Sequence, residues 1–216
     1  MDRCLTCRSC ETTCPSGVEY GQLLEIGREM MESKRGKLQA LYRYIVRKTL
    51  LTPLLFRPIG YFLRHSKVSS KPIKPNTVDS SVLLIGGCVQ PTLAPNINHS
   101  IKNILAKLNI EVRESSQSEC CGALDQHLAA SNDALKKVKR NIDTWISQLD
   151  SGVEAIISSA SGCGIMIKDY PNLFEESDSY YEKALLVSSK TKDIAEFLAN
   201  KDLSMLNLKE LNISYH

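Results

Sequence analysis

The chain has 216 residues, of which 43% are hydrophobic and 24% are charged, an ordinary composition for a globular protein. This length suffices for one large domain or two small ones with a real hydrophobic core. Residues 1–75 carry 14 Lys and Arg against 6 Asp and Glu, whereas residues 76–216 carry 13 against 18. The asymmetry predicts two units with different partners. We find no signal peptide and no nucleic-acid motif, so we expect no nucleic-acid partner.

The first element along the chain is a run of four cysteines that ends in proline: Cys4, Cys7, Cys10 and Cys14. The spacing C-x2-C-x2-C-x3-C-P is typical of bacterial ferredoxins. Two residues between cysteines let a tight loop wrap thiolates around one face of a cubane, with backbone N–H groups directed at the sulfides. The run therefore predicts a [4Fe–4S] cluster. The alternatives are a zinc knuckle and a disulfide knot, but zinc prefers two separated pairs of thiolates.

The role of Cys14 stays open. In two-cluster ferredoxins the fourth cysteine of such a run binds the other cluster, and the sequence has no second run. Either Cys14 closes a single cluster, or it serves a second cluster whose remaining ligands lie on a missing upstream segment. We favour the second interpretation because the run begins three residues after Met1.

The next elements are helical. Apolar spacing predicts a helix from Tyr20 to Met31, and Pro53 and Pro58 are expected to break the stretch from Leu38 to Leu63 into short helices. The basic stretch 34–74 would face a membrane surface or an acidic partner, or would simply be a solvated helical face. Residues 66–80 are rich in proline and serine, which predicts a linker between a helical module (1–65) and a second domain (81–216).

Strands alternate with helices in the second domain. Short apolar runs predict strands at residues 81–85, 110–113 and 153–158, and helical periodicity covers residues 95–108, 123–149, 164–170 and 179–200. This alternation indicates βαβ units and a short parallel sheet. The predicted fold class is α+β overall, with a small helical 4Fe-4S module followed by an α/β domain.

The other four cysteines follow strands. Cys88 comes after the first predicted strand, the Cys120-Cys121 pair comes after the second, and Cys163 comes after the third. Because ligands of open α/β sheets sit at the carboxyl ends of the strands, these thiols can converge on a second site. Adjacent cysteines are poor disulfide partners, which favours ligation or redox use. The alternatives are buried structural cysteines and a redox or binding site without a stable cluster.

Longer motifs surround these cysteines: Gly-Cys-Val-Gln-Pro at 87–91, Cys-Cys-Gly at 120–122 and Ser-Gly-Cys-Gly at 161–164. They resemble the CCG domain of heterodisulfide-reductase-like proteins. Combined with the ferredoxin-type run and with Arg-Asn-Ile-Asp-Thr-Trp at 140–145, they resemble the iron–sulfur subunit of bacterial glycolate oxidase (glycolate dehydrogenase). The resemblance covers nearly the whole chain apart from the linker and the tail.

The resemblance implies a role in electron transfer. Such subunits take electrons from an FAD-binding subunit that oxidises glycolate to glyoxylate and pass them toward membrane quinone. It implies further subunits, a cytoplasmic location or a peripheral position at the inner face of the plasma membrane, and no catalytic residue on this chain. The family normally has two cysteine runs, two Cys-Cys-Gly units and often a terminal C-x-x-C. This sequence has one run and one Cys-Cys-Gly, and only Cys163 stands where the family has its terminal C-x-x-C. These departures suggest a truncated form.

Rival functions remain. Related electron-transfer subunits serve lactate, glycerol 3-phosphate or heterodisulfide oxidoreductases, and a chain without a cluster would be a non-catalytic assembly or binding fragment. A zinc-bound structural module is a further alternative. His127, five residues after Cys-Cys-Gly, could lie near a site, although a lone helical histidine is more often just hydrogen-bonded, and the same holds for His99.

Overall fold

The computed structural model describes Cys4, residues 6–64, Val68, and residues 71–115 and 120–206. The N-terminal part contains α1 (Ser9–Thr13), α2 (Tyr20–Glu32), α3 (Lys37–Leu51) and α4 (Pro53–Phe62). Thr52, with extended backbone, separates α3 from α4, as expected for a residue that precedes proline. Pro58 lies inside α4, so only Pro53 marks a boundary.

The second part begins with β1 (Ser80–Ile85), which starts one residue before the predicted strand 81–85. Residues 65–67, 69 and 70 of the predicted module and linker lie outside the described residues, as does the tail from 207 to 216. The remaining elements follow in chain order: α5 (Gln90–Leu93), α6 (Pro95–Lys107), β2 (Ile110–Arg113), α7 (Ala123–His127), α8 (Ser131–Asp150), β3 (Ala155–Ser158), α9 (Ser161–Lys168), a 3-10 turn (Tyr170–Leu173), α10 (Tyr181–Lys190), β4 (Thr191–Asp193) and α11 (Ile194–Leu198).

The four described strands form one parallel sheet in the order β2-β1-β3-β4. Val82 on the central strand β1 lies opposite Val112 on β2 and Ala155 on β3. The chain leaves β1 toward one side to form β2 and then returns to the other side to form β3. In open α/β sheets such a reversal opens a crevice at the carboxyl ends of the strands, and ligands bind there. The predicted mixed fold with a parallel sheet is confirmed.

Helices cover both faces of the sheet, which explains why β1 and β3 are almost entirely buried. Leu83, Ile85 and Ile156 pack on one face in a cluster that includes Trp145 of α8. Val82, Leu84 and Ile157 pack on the other face against α6 and α11. The successive residues of each strand therefore serve two separate cores, as the period of two dictates.

Two predicted helices are divided in the structure. The stretch 123–149 is interrupted at residues 128–130, where Ala129 has a φ of 55°, a left-handed conformation that ends α7. The predicted helix 179–200 contains the short strand β4, which pairs with β3 and separates α10 from α11. An Asp193 capping box then starts α11.

Ion pairs join the helical part to the α/β part. Arg47 of α3 donates to Asp125 of α7 at 2.8 Å and to Asp133 of α8 at 2.9 Å. Arg8, beside the first cysteines, pairs with Asp169 just after α9. Arg47 and Asp125 are both buried, and removing one partner of such a pair leaves an uncompensated buried charge.

Helices α3 and α4 expose much of their apolar surface, with Leu38 84% and Phe62 87% exposed. We call the exposed apolar side chains of these two helices the α3–α4 surface. Residues 33–64 include no Asp or Glu, so every charged side chain contributed by this segment is a cation. Within the described residues, we find no helix that combines the length and the apolar character needed to cross a membrane.

Candidate functional site: two groups of cysteines

The structure brings together Cys88, Cys120, Cys121 and Cys163 at the carboxyl edge of the sheet. The sulfur of Cys120 lies 3.5 Å from that of Cys88, and the sulfur of Cys121 lies 3.3 Å from that of Cys163. Cys88 follows β1, and Cys163 lies in the first turn of α9, after β3. We call these four side chains the CCG thiols. They lie at the crevice between the loops of β1 and β3, where the chain reverses direction across the sheet.

Gly122 fixes the turn that presents the two adjacent thiols. Its φ is 90°, which favours glycine, and a Cβ would meet Val138 Cγ2 at 3.4 Å and the carbonyl of Ala134 at 3.5 Å. The backbone conformation therefore favours glycine at this turn, whereas the contacts of the added Cβ with α8 would be ordinary van der Waals contacts. Cys121 is only 4% exposed, so its thiol faces protein rather than solvent.

A buried polar pair supports the same turn from beneath. Tyr170 Oη donates to the carbonyl of Cys121 at 2.9 Å, and Asn141 Nδ2 donates to the carbonyl of Cys120 at 3.1 Å. Trp145 stacks on Tyr170 with ring centroids 6.0 Å apart. Our sequence reasoning did not assign a role to these residues, although Asn141 and Trp145 lie in the segment 140–145 that contributed to the resemblance.

A second polar network joins the loops that follow β1 and β3. Gln90 Nε2 donates to Asn98 Oδ1 at 2.9 Å and to Ser159 Oγ at 2.7 Å. Asn98 Nδ2 donates to the carbonyl of Gly86 at 3.1 Å. These bonds hold the two thiol-bearing loops at a fixed separation. Gln90 lies in the motif 87–91, but the network itself could not be predicted from the sequence because it depends on the pairing of distant loops.

The CCG thiols differ in their tendency to ionise. Hydrogen bonds from Cys121 and Cys88, followed by the backbone N–H of Gly122 and the charge of Lys137, lower the pKa of Cys120 to about 3 despite its burial. The hydrogen bond with Cys121 lowers the pKa of Cys163. The bond to Cys120 and burial raise the pKa of Cys88 well above that of an ordinary thiol. Hydrogen bonds to Cys120 and Cys163, together with burial, raise the pKa of Cys121, so the two pKa values within each sulfur pair are shifted in opposite directions.

The N-terminal cysteines are arranged differently. Cys4, Cys7 and Cys10 are exposed, and Cys14 is half-buried. Thr6 and Arg8, on either side of Cys7, have φ values of 56° and 58°, an uncommon left-handed conformation for residues other than glycine. These residues curl the backbone into a tight loop that leads into α1.

Backbone donors surround two of these sulfurs. Hydrogen bonds from the backbone of Ser9 lower the pKa of Cys7, and those of Val18 and Ser16 lower the pKa of Cys14. The amide of Thr6 also donates to the sulfur of Cys4 at 3.4 Å. Such donors favour thiolates, the form that binds iron.

A cavity of about 290 Å³ lies between this loop and α2. Cys4 and Cys10 line it together with the apolar side chains of Leu23 and Leu24. Soft thiolates with backbone donors around an apolar cavity are a donor set that suits an iron–sulfur core. Within the described part of the chain, no three Cys, His, Asp or Glu side chains are arranged around a single metal-ion position. The assignment of Cys4, Cys7, Cys10 and Cys14 to one cluster stays a prediction.

A cavity of about 300 Å³ is lined by residues of α2, α7 and α9, and its lining includes Arg8 beside Cys7 and Gly162 beside Cys163. His127 Nδ1 of α7 lies 2.7 Å from Glu25 Oε1 of α2. Burial raises the pKa of Glu25, but the hydrogen bonds and charges of His127 and Arg28 outweigh it and hold the pKa below its usual value. His127 thus joins the two parts of the molecule, and His99 lies half-buried on α6.

Cys-Cys-Gly and two further cysteines at the ends of parallel strands define a cysteine-rich domain. Residues 82–168 match the family described as CCG, a cysteine-rich domain. No solved structure matches the chain.

The chain is also similar in sequence to particular bacterial proteins. The chain is 37% identical over its whole length to the glycolate oxidase iron-sulfur subunit of Escherichia coli (strain K12), of which the alignment covers 58%. A probable glycolate oxidase iron-sulfur subunit of Bacillus subtilis (strain 168) is 27% identical over 96% of this chain and 56% of its own length. Lactate utilization protein A of Bacillus licheniformis is 27% identical over 52% of this chain and 45% of its own length. The resemblance read from the motifs is confirmed, and the chain spans rather more than half the length of the first two relatives.

Proposed function

We propose that this protein is an iron–sulfur electron-transfer subunit of a flavin-dependent oxidoreductase that oxidises glycolate to glyoxylate. The single observation that carries the proposal is the ferredoxin-type run, whose sulfurs receive backbone hydrogen bonds. The similarity along the whole chain to glycolate oxidase iron-sulfur subunits supports glycolate as the substrate. A [4Fe–4S] cluster, when bound, supplies one-electron transfer between a flavin and an acceptor.

The residues of this chain would hold and tune the cluster. Cys4, Cys7 and Cys10 would be ligands, and Cys14 would either complete the set or serve a second cluster. The amide of Thr6 would keep its bond to the Cys4 sulfur, a contact that raises reduction potential by stabilising negative charge on sulfur. The FAD and the substrate-binding groups would belong to a partner subunit, so no residue here is proposed as an acid, base or nucleophile.

The CCG thiols would form a second iron–sulfur or redox site. The short distances within the two pairs, the buried support from Asn141 and Tyr170, and the match to a cysteine-rich domain support this assignment. Cys88, Cys120, Cys121 and Cys163 are all the cysteines of this group, so every ligand would come from three loops of one domain.

The α3–α4 surface would contact the inner face of the plasma membrane as a peripheral attachment. Exposed apolar side chains flanked by cations are typical of interfacial helices that meet anionic lipid. This contact would bring the chain near a quinone acceptor and is consistent with a cytoplasmic location.

The aligned region of lactate utilization protein A supports a related subunit for lactate oxidation as a second candidate.

The substrate is tested by mixing the anaerobically purified chain with its flavoprotein partner and adding glycolate or lactate. We expect glycolate to reduce the cluster, which electron paramagnetic resonance (EPR) detects as a new signal. Reduction by lactate but not by glycolate would favour the second candidate. Protein without iron, colourless and diamagnetic after reduction, would indicate an assembly fragment instead, and bound zinc would indicate a structural module.

The role of Cys14 is tested separately with Cys14→Ser. If Cys14 serves a second cluster, the iron content of the isolated chain should hardly change. Complete loss of iron would show that Cys14 closes the only cluster of the run.

A further inference from the structure

A cavity with two cysteines in its wall lies between α4 and the carboxyl edge of the sheet. This cleft has a volume of about 890 Å³, which is within the range of small-molecule sites. Cys88 and Cys120 line its inner end, and Phe56, Tyr61 and Arg57 of α4 line its outer wall. It therefore connects the CCG thiols with the α3–α4 surface.

The helices α4 and α5 are in close contact beside the cleft. At Gly60 of α4 a Cβ would come within 2.5 Å of Thr92 Cγ2, so the two helices approach as closely as glycine allows. Thr92 and Pro91 of α5 form part of the cleft wall. The spacing of the walls is thus set by packing, and the cavity is preformed.

The chemistry of the cleft is amphipathic. Its described lining includes the cations Arg57, Arg64 and Lys137 but no Asp or Glu. Lys137 also pairs with Asp125 at 2.5 Å, which fixes its position on α8. Aromatic and aliphatic groups fill the rest of the wall toward α4. Such a site suits a planar apolar ring with an oxygen on which negative charge develops.

We propose that this cleft binds a quinone, with the ring between α4 and the CCG thiols and its carbonyl oxygens toward the cations. The inference rests on the proposed electron-transfer function and adds to it the place and the residues of the acceptor site. The cations would stabilise the oxyanion that a quinone carries as it gains electrons. Tyr61 of α4 both lines the cleft and is exposed, and the path of a lipid-soluble ring from a membrane surface would pass beside it.

The experiment measures binding of duroquinone to the full chain, purified without oxygen, by isothermal titration calorimetry. Duroquinone is chosen because its ring carbons are all substituted and do not alkylate thiols. Gly86→Leu adds a side chain to the cleft at a position where a Cβ meets no atom within 4 Å. We expect this variant to weaken binding at least tenfold and Arg57→Gln to weaken it about threefold.

Two matched controls distinguish binding in the cleft from nonspecific binding of duroquinone elsewhere on the surface. Arg140→Gln removes an exposed arginine from α8, and Leu38→Gln removes an exposed apolar group from α3 outside the cleft. Both should leave binding unchanged. Equal loss of binding in Leu38→Gln and Gly86→Leu, no binding to the wild-type chain, or binding of inorganic phosphate in place of duroquinone would each overturn the proposal.

EPR spectra of the same samples keep this inference distinct from the proposed function. A normal cluster signal without duroquinone binding would reject the cleft and leave the electron-transfer role intact. Duroquinone binding that depends on Gly86 in a chain without any cluster would support the cleft and reject the relay.

Discussion

The two groups of cysteines are positioned in different ways, one by local backbone conformation and the other by contacts between distant elements. The N-terminal run places its four thiols within 11 residues, on a mostly exposed loop that depends on local backbone conformation. The CCG thiols come from three distant loops and are held by buried side chains beneath the sheet edge. We infer that substitutions near the run will change ligation with little effect on stability, whereas substitutions near the CCG thiols will change both.

The largest effect on stability is expected at the ion pair that joins the two regions. Asp125→Asn leaves Arg47 and Lys137 without their buried partner and should lower the free energy of unfolding by about 3–5 kcal/mol. Urea denaturation of the variant provides the measurement. Lys48→Gln is the matched control, because Lys48 and Asp133 form an exposed pair that contributes less than about 1 kcal/mol. Similar losses in the two variants would show that the boundary is not a buried contact.

The next contrast compares two glycines with positive φ. Gly122→Ala must force alanine into a φ of 90°, beyond the left-handed region that other residues reach, and should cost about 2–3 kcal/mol. Gly17→Ala, after the N-terminal run, has a φ of 62° and open space around its Cβ, so about 1 kcal/mol is expected. Thermal denaturation followed by circular dichroism compares them. A larger loss at Gly17 would reverse the proposed difference between the regions.

Two tyrosines provide a smaller contrast. Tyr170→Phe leaves the carbonyl of Cys121 without its buried donor and should cost about 1–2 kcal/mol. Tyr20→Phe removes an exposed hydroxyl that hydrogen-bonds Cys14, and its effect on the free energy of unfolding should be within about 0.5 kcal/mol. Equal stability of the two variants in urea would show that the Asn141–Tyr170 pair does not support the turn.

The smallest effect concerns pH. His127 and Arg28 hold the pKa of Glu25 below its usual value, so this carboxylate stabilises the folded state above its unfolded pKa of about 4.3 and loses that contribution as the pH falls through the lower, folded pKa. Glu25→Gln should be less stable than wild type by up to about 1 kcal/mol at pH 6, with the difference vanishing at acid pH. Glu182→Gln, at an exposed position on α10, should show no such dependence.

The comparison also explains what the sequence could and could not predict. Cys88, Cys121 and Cys163 follow parallel strands, and strand ends meet at one edge, so their convergence follows from periodicity and topology. Gln90 and Asn141 lie in motifs that contributed to the resemblance, but their supporting roles, like that of Tyr170, depend on contacts between distant elements. Strand β4 was missed because three residues, Thr191–Asp193, are too short for a period-two signal inside a helical stretch. The break at Ala129 has neither glycine nor proline to mark it.

The most direct test measures iron, labile sulfide and the EPR spectrum of the chain purified without oxygen, for wild type, Cys7→Ser and Cys121→Ser. Because the run is proposed to hold a [4Fe–4S] cluster, Cys7→Ser should lose about four iron atoms and its cluster signal while keeping wild-type stability. Cys121→Ser should keep that signal and lose stability. Wild-type iron and an unchanged signal in Cys7→Ser, or a wild-type chain that holds no iron beside its flavoprotein partner, would contradict the account.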